Sequence, residues 1–149
     1  MSGASVLQGH VMSASETDQL LREKGIGVLS MTNEGVPYGI PLSFGYDGDD
    51  RLYFLLAGHS EQGRKIRYAE ASDEASFLVF DVASDDEWRS VIVRGSIDRI
   101  EPTEWDAARE AMADNAYRPD LLAEVDVRAD PRMWVLDAEE TSGRAMGGR

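Results

Sequence analysis

The chain has 149 residues, 42% of them apolar, enough for one domain with its own core and too apolar for a disordered tail. It has no Cys and two His, His10 and His59, which excludes a disulfide framework, a thiolate nucleophile and a Cys-ligated metal, and argues against any metal site. Its 28 acids against 15 bases give a net charge of −13, a field that repels phosphodiester backbones and argues against a nucleic-acid binder.

Taken in chain order, residues 1–12 mix Gly, Ser and Gln without a period and are expected to be a frayed arm. Residues 13–149 are expected to form a single domain. A helix is predicted over Ser15–Lys24, opened by Ser13 with Glu16 or by Ser15 with Asp18, and stopped at Gly25. Gly27–Met31 is a short apolar strand, and Asn33-Glu34-Gly35 a turn. Val36–Tyr46 is a second strand, whose Pro37 and Pro41 require an unpaired or bulged side. After the polar turn Asp47–Asp50, Arg51–Leu56 returns as its hairpin partner. Ala57–Gly63 is a loop, and Arg64–Ala71 a short helix. Ala75–Val82 is a strongly apolar strand. Arg89–Ile100 alternates Val91, Val93 and Gly95 with Ile92 and Arg94 as a half-buried strand does. A helix over Glu104–Ala116 carries Trp105, Ala108 and Met112 on one face. Pro131–Asp137 is a last strand, and Thr141–Arg149 a Gly-rich tail.

Strands joined by short turns make a largely antiparallel sheet, so the expected fold is mainly β with flanking helices: a closed or split β-barrel. No run of apolar residues is long enough to span a membrane and no signal-peptide pattern opens the chain, so the cytoplasm is the expected compartment.

Three places carry candidate chemistry. The stretch His59-Ser60-Glu61-Gln62-Gly63-Arg64-Lys65 brings Ser, Gly and two cations to a helix start, a suitable anion cradle or else a solvated basic turn. Lys65 stands out because the chain has one other Lys, Lys24, against 13 Arg. Pro41-Leu42-Ser43-Phe44 is either core-facing strand or an edge with backbone groups open to a ligand, with Tyr53 and Phe54 opposite as walls for a planar ring. Trp88-Arg89-Ser90 combines a stacking surface with an anion contact, or plugs one end of the barrel. Trp105, Trp134 and Met112 read as core, and Asp85-Asp86-Glu87 as a solvated turn.

Together with Gly27-Val28-Leu29-Ser30, Gly35 to Phe44, Leu52-Tyr53-Phe54, Gly63-Arg64-Lys65 and Arg89 to Gly95, these segments resemble the pyridoxamine 5′-phosphate oxidase-like, FMN-binding split β-barrel superfamily, in its small flavin-nucleotide-binding branch. The resemblance runs from the helix before Gly25 to about Arg144. It implies a homodimer with FMN at the subunit interface. Pro41 to Phe44 would run along the isoalloxazine edge and Tyr53 to Leu55 under it. Ser60, Gly63, Arg64 and Lys65 would hold the phosphate, and Trp88, Arg89 and Ser90 would arrive from the other subunit. It also implies a flavin-dependent oxidoreductase with a small-molecule electron donor or acceptor. The alternatives are an FMN store or sensor, a deazaflavin-dependent reductase, or a haem protein with His59 as ligand. The long oxidase's C-terminal substrate-binding segment is not found, and no catalytic side chain is assigned.

Scattered acids with little Lys resemble the composition of a protein from a high-salt cytoplasm, against an ordinary acidic protein as the alternative, and the family resemblance is to a haloarchaeal member. Moving from molar to low-millimolar KCl is then expected to lower the melting temperature, because unscreened acids repel one another. An unchanged melting temperature removes this reading.

Overall fold

The computed structural model describes residues 9–56, 63–115 and 133–147. Its elements are β1 (His10–Val11), α1 (Ala14–Glu23), β2 (Ile26–Asn33), β3 (Val36–Tyr46), β4 (Arg51–Leu55), α2 (Arg64–Ala71), β5 (Glu74–Ser84), β6 (Glu87–Arg99), a 3-10 turn (Pro102–Glu104), α3 (Trp105–Asn115) and β7 (Met133–Met146). All the strand pairings are antiparallel. The sheet order is β1-β7-β4-β3-β2-β5-β6, and β6 pairs again with β7, so six strands close into a barrel and β1 lies outside it on β7.

Local chemistry sets each boundary. Ser13, of the two starts open in the sequence, caps α1. Its Oγ accepts from the Glu16 N–H (3.1 Å) while the Glu16 carboxylate accepts from the Ser13 N–H (2.8 Å). Glu34 and Gly35 both have positive φ (51° and 81°), as the two-residue turn between β2 and β3 demands. The Phe44 N–H donates to the Gly25 carbonyl (3.1 Å). Antiparallel alternation therefore turns the nitrogens of Pro37, Gly39, Pro41 and Ser43 away from β2, so neither proline interrupts that ladder. Among the described residues β3 pairs with β4 only over Phe44–Tyr46, which leaves its first two-thirds with one neighbour.

The barrel interior is packed around Phe77. Phe44 meets it edge-on at 4.9 Å and Phe54 stacks on it at 5.9 Å, with Leu29, Leu42, Val79, Val91, Val93 and Leu136 filling the rest. Helix α1 adds Leu20 and Leu21 to this core, and α2 adds Ile66 and Ala69. A second, smaller core lies on the outside of the barrel wall. There Trp105, Ala108, Ala111 and Met112 of α3 cover Tyr53, Met133 and Val135. Trp105, Trp134 and Met112 are thus core residues, as their periods predict.

Two expectations are corrected at the chain ends. The arm expected over 1–12 is already structured at its end: His10 and Val11 pair with Ala145 and Arg144, and Met12 is buried. The strand expected to stop at Asp137 continues to Met146, absorbing most of the Gly-rich tail. Gly143 is the reason glycine suits that strand, since a Cβ there would press on the Met12 sulfur and on Thr17.

Helix α3 sits almost on the backbone of β3. A Cβ at Gly45 would come within 2.5–2.6 Å of backbone atoms of Ala111 and Met112, whereas at Gly39 the nearest atom is 3.5 Å away. Gly45→Ala is expected to cost about 1–3 kcal/mol in urea unfolding by overpacking, and Gly39→Ala close to nothing. Equal stability of the two variants would contradict this packing.

Candidate functional site

Residues directly opposite in neighbouring strands share a face, so the register defines what the barrel shows to its surroundings. Pro41, Val28, Leu78, Ile92 and Ser142 form one row across β3, β2, β5, β6 and β7. Phe80, Ser90, Arg144 and Val11 form a second, Ile26 stands beside Ser43, and Val82, Trp88 and Met146 form a third row. This outer face is largely apolar and uncovered: Val11, Ile26, Phe80, Val82 and Ile92 are 48–67% exposed. Val36, at the β2–β3 hairpin end, is the remaining large apolar residue exposed to this degree among the described residues.

Pro41 is exposed and Ser43 half-buried on this face, at the border where β3 lacks a second neighbour. Leu42 and Phe44 point into the barrel core. The cations enter from α2. Gly63 caps that helix without a side-chain hydrogen bond, and the first turn carries Arg64, Lys65 and Arg67 with no acid. Arg64 reaches β3, its guanidinium lying 5.9 Å from the Tyr38 ring centroid. Ser60 and His59 lie outside the described residues.

Two assignments made from sequence are corrected. The Tyr53 side chain is 1% exposed beneath α3, and Phe54 is fully buried inside the barrel. Neither ring is available to wall a ligand; Leu55 is half-buried against the α3 core. Trp88, Arg89 and Ser90 do not share one strand face, although Trp88 and Arg89 line a common cavity. Trp88 and Ser90 belong to the outer face, while Arg89, one residue out of phase, points the opposite way.

There Arg89 bridges two acids. Its guanidinium lies 3.1 Å from a Glu23 oxygen and 2.7 Å from an Asp81 oxygen, and Lys24 approaches Asp81 at 3.4 Å. The hydrogen bond from Arg89, with Lys24 adding to it, holds the Asp81 carboxyl below its usual range. The network ties α1 to the β5–β6 hairpin beside a cavity of about 580 Å³ that His10, Glu16, Glu87 and Trp88 also line. A comparable cavity of about 510 Å³ lies between α1 and the β3–β4 turn. In it Tyr46 donates to Asp18 (2.7 Å), and Arg22 donates to the same carboxylate (2.7 Å). Burial and Asp18 push the Tyr46 phenol well up. Acids line both cavities, so neither suits a phosphate.

Sequence reasoning missed Tyr38, Tyr68 and the acids that hold Arg89. The ion-pair partners had no local signal, because Glu23 and Asp81 lie 66 and 8 residues from Arg89. Among the described residues no cluster of three His, Asp or Glu is placed to hold a metal, and no helix is long and apolar enough to cross a membrane.

The family described as pyridoxamine 5′-phosphate oxidase matches residues 13–145. The chain belongs to this family. The chain is 27% identical over 94 residues to an uncharacterized protein of Rhizobium meliloti, a match spanning 63% of this chain and 59% of that relative. The fold recurs in solved structures. An FAD-binding protein from Mesorhizobium loti superposes with a TM-score of 0.71 at 24% identity, over 93% of this chain and 97% of that one. An FAD-binding protein from Mycobacterium smegmatis gives 0.67 at 18%, over 94% and 100% of the two chains. An FAD- and haem-binding protein from the same organism gives 0.67 at 17%, over 91% and 72%.

The Arg89 network yields a signed pH dependence. Asp81 has a depressed folded pKa, so its contribution is present above the ordinary aspartate value of about 3.9 and is lost as the pH falls through the folded one. Arg89→Ala is expected to lower stability by about 1 kcal/mol at neutral pH. It should also lose less further stability than wild type on acidification. Parallel pH profiles of the two melting temperatures would contradict the network's role.

Proposed function

We propose that this family member binds a flavin nucleotide between two copies of itself and uses it to exchange electrons with a small molecule. The observation that carries the reading is the uncovered apolar face of β2, β5 and β6, bordered by the unpaired part of β3 and by the cations of α2. An apolar face of this kind marks an interaction surface. A two-fold dimer lays one such face on its copy, which makes the interface isologous and creates two equivalent clefts at its border.

The residues present fit the group. Arg64 and Lys65 stand in the first turn of α2, where the backbone N–H groups have no intrahelical acceptor. That helix has no acid in its first turn and no side-chain cap, so its N–H groups and the two cations are suited to one ligand phosphate. FMN is the smallest flavin nucleotide that supplies this anion. Pro41 removes a donor from the open edge of β3 and lets a flat ring approach the backbone there; Ser43 supplies a polar atom beside it. Trp88 and Ser90, on the outer face, would close the cleft from the second copy. The flavin, when bound, supplies the redox chemistry; the protein binds, orients and desolvates it. This division of labour needs no nucleophile, in keeping with a chain that has no Cys. The names of the FAD-binding proteins that share the fold support a flavin.

Titration of FMN and riboflavin tests the reading. Lys65→Ala removes one charge-assisted contact worth roughly 1.5–3 kcal/mol, so FMN affinity is expected to fall about 10- to 150-fold. Riboflavin, which lacks the phosphate, should bind both proteins alike. Equal FMN affinity would overturn the phosphate placement, and a wild type that binds no flavin would overturn the whole proposal. Bleaching of the bound flavin by a reduced nicotinamide would identify turnover rather than storage.

A further inference from the structure

Among the described residues β1 pairs with β7 alone, so its other edge is open. The inner end of this short strand is fixed. The Met12 N–H donates to the Gly143 carbonyl (2.9 Å), and the Met12 side chain is buried. Toward the N-terminus only His10 and Val11 pair with β7, and so short a ladder with an open edge opens at little cost. At that end Gly9, with a φ of 71°, lies against the Trp88 indole of β6. A Cβ on Gly9 would press on the Ala145 carbonyl oxygen and come within 3.2 Å of the indole ring. Gly9 therefore closes over one edge of a half-buried tryptophan.

His10 ties this end of β1 to α1, its Nε2 lying 3.7 Å from a Glu16 oxygen. Glu16 is a fixed anchor, because its other oxygen accepts from the Ser13 N–H and its own N–H donates to the Ser13 Oγ. The Ser13 N–H also holds the Glu16 carboxyl below its usual range, so the anchor keeps its charge wherever an imidazole titrates. The surroundings of His10 favour a cation. The cavity it shares with Trp88 is lined by Glu16 and Glu23 of α1, Asp81 of β5, and Glu87 and Arg89 of β6, while the β7 residues there, Ala145 and Met146, have no titratable side chain. Arg89 is taken up by Glu23 and Asp81. Arg144 stands on the other face of β7, in the row of Val11.

We propose that β1 is a proton-sensitive strap that positions Trp88. With His10 charged, the strap closes on the indole; with His10 neutral, its Gly9 end lifts away. Gly9 and His10 are thus positioning residues. Trp88 belongs to the outer face of the barrel, so the strap sets the shape of the surface offered there. The readout needs no flavin, and its failure leaves the flavin reading standing.

Acrylamide quenching of tryptophan emission, on the full-length protein as purified, tests the strap. Trp105 and Trp134 are 3% exposed, which leaves Trp88 as the accessible indole. Going from about pH 8 to about pH 5.5 is expected to lower its quenching constant about two- to fivefold, the size an exposed ion pair gives a local equilibrium. His10→Gln and Glu16→Gln should each remove the difference between the two pH values. The amide of Glu16→Gln can still accept from Ser13, so α1 stays capped. Gly9→Ala should leave Trp88 open to quencher at both pH values, because the strap can no longer close. Trp88→Phe should remove the pH-dependent part of the signal. Equal quenching of wild type at the two pH values overturns the proposal. So does a difference that persists in His10→Gln or in Trp88→Phe, or one that light scattering traces to association or dissociation of copies.

Discussion

A barrel has one interior, yet β2, β5 and β6 carry apolar side chains on both of their faces. Leu29, Phe77, Val79, Val91 and Val93 fill the inside, while Ile26, Val28, Leu78, Phe80, Val82 and Ile92 alternate with them on the outside. Elsewhere on the wall the same problem is solved within the chain, because α3 lies over Tyr53, Met133 and Val135. Over β2, β5 and β6 no described element does so. Side chains about half exposed each stand to gain on the order of 1 kcal/mol when covered, and the proposed two-fold pairing of copies would cover them all at once. The proposed function follows from that constraint. On the proposed reading, a ligand cleft would lie where that face ends, along the part of β3 that pairs with β2 alone.

Charge is distributed to match. In a chain of net charge −13, many of the cations that the structure describes are tied to acids: Arg22 to Asp18, Lys24 to Asp81, Arg51 to Glu104 and Asp137, Arg89 to Glu23 and Asp81, Arg94 to Glu140, Arg99 to Glu70. These pairs join elements distant in sequence and reduce the self-repulsion of an acidic molecule. The first turn of α2 gathers Arg64, Lys65 and Arg67 and carries no acid of its own, at the end of a helix that favours negative charge. On the proposed reading, that turn offers its charge to one small anionic ligand.

The fold was largely legible because its signals are local. Strict alternation in Arg89–Ile100, the Glu34-Gly35 turn and the Ser13–Glu16 capping pair each act over a few residues, and each element appears where its signal lies. The chain ends were misread because β1 and the end of β7 owe their structure to each other and to β6, not to their own composition. In the candidate site, the cations of α2 and Pro41 stand out in the sequence as residue types in unusual company. Tyr53 and Phe54 were misassigned because both faces of β4 are buried, one by the barrel and one by α3, so an aromatic there is core from either side. Arg89 was misassigned because residue type shows an anion contact but not whether the anion is a ligand or a carboxylate 66 residues away. Tyr38 and Tyr68 form their pair only through the packing of α2 against the sheet.

Native mass spectrometry of the protein purified without added flavin bears most directly on the central claim, because it reads stoichiometry and ligand together. The account predicts a particle of two chains carrying two flavin nucleotides, with loss of flavin accompanying dissociation of the dimer. A monomer that retains a flavin, or a dimer whose chains take up no flavin nucleotide on reconstitution, would contradict it.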